Sequence, residues 1–360
     1  MRRGRRGRRK PVYEAIPDSE KTARYRAFWQ RAETDRPLIG TTIATMPSVR
    51  AIRGEGMVRP EDMDVHECIK ELEEEWEQWR DCGGDAIWSA SPVWAFPWQA
   101  AMIGCPIMRD GENVWQGHVP GDWNEMERLR FDPANPWFRR LVELTTALKE
   151  HAAGHYPVGS GLLGATPSDL MMIFRGQERL AVDLYDSPEM VAKLAERSIQ
   201  FCVDLMAQLL PLADRYLGGY TGTIRYFWAP EAMLETGEDL AFMMSPAAHR
   251  RFVVPIHRAF CRHYPCNILH LHSAQLHTVP NLLDVPEIRA IEITPDYGED
   301  LLPYLGLMGQ ILERKPLIVH GIMTVPEMRA MLRVLPARGL ALFCRCDRPE
   351  DARGVLTALA

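Results

Sequence analysis

No stretch of this 360-residue chain is apolar for 18 residues or more, so nothing in it reads as a transmembrane helix. The one G-x-G-x-x-G, Gly159-Ser160-Gly161-Leu162-Leu163-Gly164, overlaps the strand candidate Pro157–Gly161 instead of following it, and a dinucleotide-binding open sheet is the second choice. The eight cysteines (Cys68, Cys82, Cys105, Cys202, Cys261, Cys266, Cys344, Cys346) are scattered and form no spacing framework, which excludes a small disulfide-stapled scaffold. No apolar segment follows the arginine pairs at the N-terminus, so an export signal is not expected. Free thiols in a reducing cytoplasm are the expected setting.

What is present is ordinary for a large globular protein: 46% apolar and 25% charged residues, enough to build a sizeable core. Residues 2–10 read R-R-G-R-R-G-R-R-K, against a net charge of −6 for the whole chain. The remainder is therefore more acidic than that figure suggests, which argues against a nucleic-acid-binding body. Residues 1–23 are expected to form a disordered, solvated basic arm; contact with RNA or an anionic surface is the other reading. Residues 24–360 are read as one domain, with no dividing linker or internal repeat.

Within that domain short apolar runs alternate with helical patterns. The strand candidates are Leu38–Ala44, Ala86–Ala90, Pro157–Gly161, Tyr216–Tyr220, Asn267–His272, Ala290–Thr294, Leu317–Gly321 and Leu340–Cys344. Helix candidates lie near 60–81, 135–153, 188–210, 246–263, 276–283, 299–313, 325–335 and 349–359. Several open on a capping residue beside a proline, as in Ser245-Pro246 and Thr324-Val325-Pro326-Glu327. Eight strands alternating with helices predict an α/β fold, a single closed (β/α)₈ TIM-type barrel. The Trp- and Pro-rich stretch from Ser91 to Pro136 exceeds an ordinary loop and reads as an insertion over the barrel mouth.

The segment C-N-I-L-H-L-H carries the most chemistry. Strand side chains alternate faces, so His270 and His272 are expected to point the same way. Two imidazoles on one strand end make half of a metal site or an acid–base pair. His277, five residues beyond His272, falls in the following helix. Cys344 and Cys346 form a second pair near the C-terminus, and whether the two pairs meet in space is the central question.

Phe174-Arg175-Gly176-Gln177-Glu178, followed by Leu184-Tyr185-Asp186-Ser187-Pro188-Glu189-Met190-Val191, carries a family resemblance. Met244-Ser245-Pro246, Phe252-Val253-Val254-Pro255, His270-Leu271-His272 and the closing strand add to it. In this order and spacing the chain, from about Arg24 onward, resembles the uroporphyrinogen decarboxylase superfamily of (β/α)₈ barrels. That superfamily includes zinc-dependent methyltransferases acting on thiols or corrinoid proteins. The chain is nearer to this branch than to the true decarboxylases, whose arginine-rich R-Q-A-G-R motif is replaced here by Asp35-Arg36-Pro37-Leu38-Ile39-Gly40. The resemblance implies zinc held by His270, His272 and Cys346, with Cys344 as the alternative. His272 stands where relatives carry cysteine, so the site would hold fewer thiolates and a bound thiol would be less nucleophilic. A small-molecule substrate and a partner protein carrying a corrinoid are the implied partners, with neither specific nucleic acid nor membrane.

Other residues have a bland reading beside the functional one. Glu292, set among Ile291 and Ile293, either closes a salt bridge at the barrel base or acts as a base or histidine partner at the mouth. His320, before Gly321, is either a satisfied core group or catalytic. Asp169 either caps a helix or binds substrate. Trp98, Tyr226 and Trp228 are packing residues or an aromatic wall suited to a flat ring or a methylated cation, and Asp296 and Tyr297 suit substrate contact. Three functions follow: metal-assisted methyl transfer, metal-free decarboxylation or carbon–carbon cleavage of a small carboxylated substrate, and non-catalytic corrinoid or tetrapyrrole binding.

Overall fold

The computed structural model describes residues 17–43, 50–80, 82–92, 96–159, 166–222 and 227–360. Six parallel strands form its central sheet: β1 (Leu38–Ile43), β2 (Met233–Gly237), β3 (Cys266–His272), β4 (Ala290–Thr294), β5 (Leu317–Gly321) and β6 (Leu340–Cys346). They lie in the order β1-β6-β5-β4-β3-β2. Each is almost wholly buried, and most are rich in aliphatic residues, as expected of a parallel sheet covered by helices.

Among the described residues the six parallel strands form one continuous ladder, in keeping with the expected α/β class, and an eight-stranded closed barrel is not shown. Among the described residues, Ala86–Ala90 meets the 157–159 part of the candidate Pro157–Gly161 at one parallel bridge, Ala90 to Val158. Ala90 N–H donates to Pro157 O at 2.9 Å and Gly159 N–H to Ala90 O at 2.9 Å. Pro157 itself has no N–H to offer a ladder. Tyr216–Tyr220 is a turn instead of a strand, because Leu217 (φ 49°) and Gly218 (φ 76°) take left-handed backbone that a strand cannot hold. Beyond it, Tyr220–Thr221 pairs antiparallel with Trp228–Ala229. The strand β2, M-L-E-T-G, escaped the sequence reading because Glu235 and Thr236 interrupt its apolar pattern; all five residues are buried.

Helices follow the expected spans closely at 65–79, 136–152, 188–209, 305–314, 325–334 and 349–359. The span 246–263 is split into Pro246–Phe252 and Val254–Cys261, since Pro255 cannot continue the first helix's hydrogen bonding. An unanticipated helix, Asp18–Gln30, begins before Arg24 and buries Lys21, Thr22, Tyr25 and Phe28 against the body. The N-terminal arginines lie outside the described residues. The Ser91–Pro136 insertion contains a short helix, Trp98–Met102, and a hairpin, Ile107–Asp110 with Asn113–Gln116. Gly56–Val58 joins that hairpin to complete a small antiparallel sheet. The described residues include no helix long and apolar enough to cross a membrane.

Candidate active site

The carboxyl ends of β2 and β3 converge on one cavity of about 390 Å³. His270, His272, Asp169, Asp239 and Trp98 line it, together with Phe96, Gln99, Gln116 and Thr166. The insertion thus supplies one wall through Phe96–Ala100 and Gln116.

Period-two alternation places both β3 imidazoles on one side, as the sequence indicates. His270 Nε2 and His272 Nε2 are 3.2 Å apart. Each ring is held from behind by a carboxylate. His270 Nδ1 lies 2.7 Å from Glu292 Oε2, and His272 Nδ1 lies 2.9 Å from Asp296 Oδ1. Glu292 sits directly beside His270 in the β3–β4 register and is 1% exposed. Its other oxygen accepts from Thr294 Oγ1 at 3.0 Å and faces His320 Nδ1 at 3.4 Å. Thr42 Oγ1 lies 3.0 Å from His320 Nε2, so a chain of polar contacts runs from β1 through β5 and β4 to the cavity. Glu292 therefore partners histidines at the mouth and does not close a salt bridge at the base.

Asp296 has its carboxylate stabilised by several donors. Burial alone would raise its pKa, but Ser273 Oγ–H, Ala274 N–H and His272 together lower it. A carboxylate at Nδ1 fixes the proton there and turns the Nε2 lone pair outward. Two such lone pairs 3.2 Å apart repel unless one positive charge, a proton or a metal ion, lies between them.

Asp169 opens the helix Pro167–Arg175 at the opposite wall. Burial, followed by the charge of Asp239, pushes its pKa up to about 7. Its Oδ1 has no hydrogen-bond partner among the described residues. Asp239 was not foreseen, because it follows the unrecognised strand β2.

The expected ligand cysteines do not join the histidines. His320 pairs with Phe343 in the β5–β6 register, and its partner Thr42 pairs with Arg345. Cys344 and Cys346 alternate with these residues and so face the opposite side of the sheet. There Cys344 lies 3.2 Å from Met323 O and 3.9 Å from the Cys346 sulfur. Cys346 is pushed up chiefly by its hydrogen bond with Cys344, and Asp351 of the last helix adds to the effect. Strand parity, one residue out of phase, overturns the His270–His272–Cys346 trio and its Cys344 alternative.

Other expected contacts divide similarly. Trp98 is at the cavity and is 2% exposed. Trp228 is core: fully buried, its ring tilted 52° to that of Tyr25 and its Nε1 donating to Tyr216 O at 2.8 Å. Tyr297 is fully exposed and does not line the cavity. Tyr226 lies outside the described residues.

Among the described residues, one group of three metal-capable side chains has all its ligand atoms within 4.8 Å: Glu238, His249 and His257. All three are buried. Glu238 Oε2 receives His249 Nε2 at 3.0 Å and His257 Nε2 at 2.5 Å, while Thr278 Oγ1 donates to Oε1 at 3.2 Å. Burial would raise Glu238, yet hydrogen bonds from the two histidines hold it at about 2. The group could hold a metal, and without one its hydrogen bonds already close it. It anchors the loop that carries Asp239 to the cavity. The sequence gives a weak signal for it, since the histidines lie on helices and the glutamate follows the missed strand.

Neither protein-family models nor curated protein sequences give a match to the chain. Among solved structures it is similar to a methyltransferase from Methanosarcina mazei. The TM-score is 0.62 and the identity 12%, over 94% of this chain and 97% of that one. The two share a fold.

Proposed function

We propose that this chain is an enzyme of the methyltransferase-like branch of the barrel superfamily it resembles, acting at the His270–His272 cavity. The observation that carries the reading is the facing imidazole pair, each ring locked by its own carboxylate. Two nitrogens bound to one tetrahedral zinc at about 2.0–2.1 Å sit about 3.3 Å apart, so the 3.2 Å spacing suits two ligands of one ion. Histidine ligands backed by carboxylates are the usual support for such an ion. His270 and His272 would hold it, leaving its other positions to substrate and water. When bound, the metal supplies Lewis acidity that keeps a thiol substrate deprotonated.

The chain's own residues do the rest. Glu292 and Asp296 keep the protons on Nδ1 and so orient both rings. Asp169, with a pKa near neutrality, takes up or releases a proton at the opposite wall. Phe96, Pro97 and Trp98 keep water from that wall. A corrinoid carried by a partner protein remains the methyl source or acceptor that the resemblance suggests. Decarboxylation of a carboxylated substrate is less well supported, because no described residue lining the cavity is lysine or arginine.

The test is zinc content and methyl transfer in chelator-washed, zinc-reloaded protein. Near-stoichiometric zinc that disappears in His270→Ala and His272→Ala, together with thiol methylation lost in the same variants, is the expected result. Protein that takes up no zinc and methylates no thiol overturns the reading.

A further inference from the structure

We infer that the small molecule taken by this cavity is an organic cation, a methylated ammonium; the inference rests on the methyl-transfer reading and names its substrate class. Three observations lead there. First, on the wall facing the histidine pair the ionisable residues are Asp169 and Asp239, and no lysine or arginine lining the cavity answers them. At that wall an anion would meet repulsion, whereas a cation gains from both aspartates. Second, the wall beside them is aromatic. Phe96 and Trp98 both line the cavity, with ring centroids 4.6 Å apart, and Trp137 backs Phe96 at 5.3 Å. Faces of such rings attract a cation too large and too weakly hydrated to prefer water, which describes N-methyl groups. Third, two buried polar atoms of these lining residues are unmatched among the described residues: Trp98 Nε1 and Asp169 Oδ1. A buried polar group without a partner is costly, and a bound ligand is one way to meet that cost. The volume, about 390 Å³, suits a small ligand.

As methyl donor, a quaternary ammonium would lose one C–N bond, its electron pair staying on nitrogen to leave a neutral tertiary amine. The thiolate of the acceptor substrate supplies the pair for the new S–C bond. Charge balances: a cation and a thiolate give two neutral products.

Calorimetric titration of the full-length protein with tetramethylammonium tests this, beside neopentyl alcohol as an uncharged counterpart and acetate as an anion. Tetramethylammonium is expected to bind about tenfold or more tightly than neopentyl alcohol, with no detectable acetate binding. Asp169→Asn, which keeps the side chain's size, is expected to weaken the cation several-fold and leave neopentyl alcohol unchanged. Equal binding of the neutral compound, preference for acetate, or no uptake of tetramethylammonium at millimolar concentration overturns the inference. His272→Ala separates the two proposals, since it should abolish zinc uptake and methyl transfer while cation binding persists. Cation binding without zinc or transfer defeats the proposed function alone; zinc and transfer without cation binding defeat the substrate class alone.

Discussion

His270 and His272 present their Nε2 atoms to each other at 3.2 Å, with Glu292 and Asp296 behind them. The arrangement is complete on its outer side and open between the rings, so the carboxylates should govern what the rings can bind. Glu292→Gln and Asp296→Asn are each expected to lower zinc affinity by about 10–100-fold. Cys346→Ser should leave it unchanged, because that sulfur faces the other side of the sheet. Competition with a chromophoric chelator measures all three, and a large loss in Cys346→Ser would contradict the assignment of faces.

Asp169 carries a pKa of about 7 against an ordinary value of 3.8. Raised above its unfolded value, it binds a proton more tightly in the folded state. The native protein should therefore lose stability as pH rises from about 4 to about 7 at this position, and the loss should level off above that. Asp169→Asn removes the titration. Urea midpoints of the variant should overtake those of the parent as pH climbs through this window; parallel curves for the two proteins count against the shift.

Glu238 behaves in the opposite sense. Its folded pKa of about 2 lies below the ordinary 4.5, so its contribution is present above pH 4.5 and is lost as pH falls toward 2. Replacing it leaves His249 and His257 buried around a missing charge. Glu238→Gln should cost about 3–5 kcal/mol at pH 7, with a much smaller difference near pH 2, in denaturant unfolding followed at both pH values.

Trp228 and Trp98 should separate by the kind of damage they cause. Trp228→Ala removes a fully buried ring and a hydrogen bond to Tyr216, and is expected to cost about 3–5 kcal/mol of stability. Trp98→Phe keeps an aromatic wall at the cavity, and its main effect should fall on ligand affinity. Thermal unfolding and ligand titration on both variants decide the matter, and an unfolding midpoint for Trp228→Ala equal to the parent's would remove that tryptophan from the core.

Much of the parallel sheet was legible because buried strands advertise themselves as largely apolar runs. L-I-V-H-G, A-I-E-I-T and C-N-I-L-H-L-H are strands where expected, with His320, Thr294, His270 and His272 toward their carboxyl ends. Met233–Gly237 was hidden by its glutamate and threonine, and with it went the loop bearing Glu238 and Asp239. The stretch Tyr216–Tyr220 shows the converse failure. Its aromatic and apolar residues have strand-like propensity, but the Leu217–Gly218 turn overrides it. Pairing of His270 with His272 followed from alternation within one strand, which local sequence determines. Convergence of Cys346 on them required the relative phase of two strands distant in sequence, and no local pattern encodes that phase.

A strand offers each residue one of two sides, and counting along the chain decides which. Arg345, not either neighbouring cysteine, shares a side with Phe343, next to His320 in the register. No change of residue type at 344 or 346 can therefore bring sulfur to the cavity side. A one-residue insertion or deletion earlier in the strand would, but it would turn Leu342 and Phe343 over as well and so dismantle the packing on which the sheet depends. This half of the sheet is fixed by arithmetic before it is fixed by chemistry.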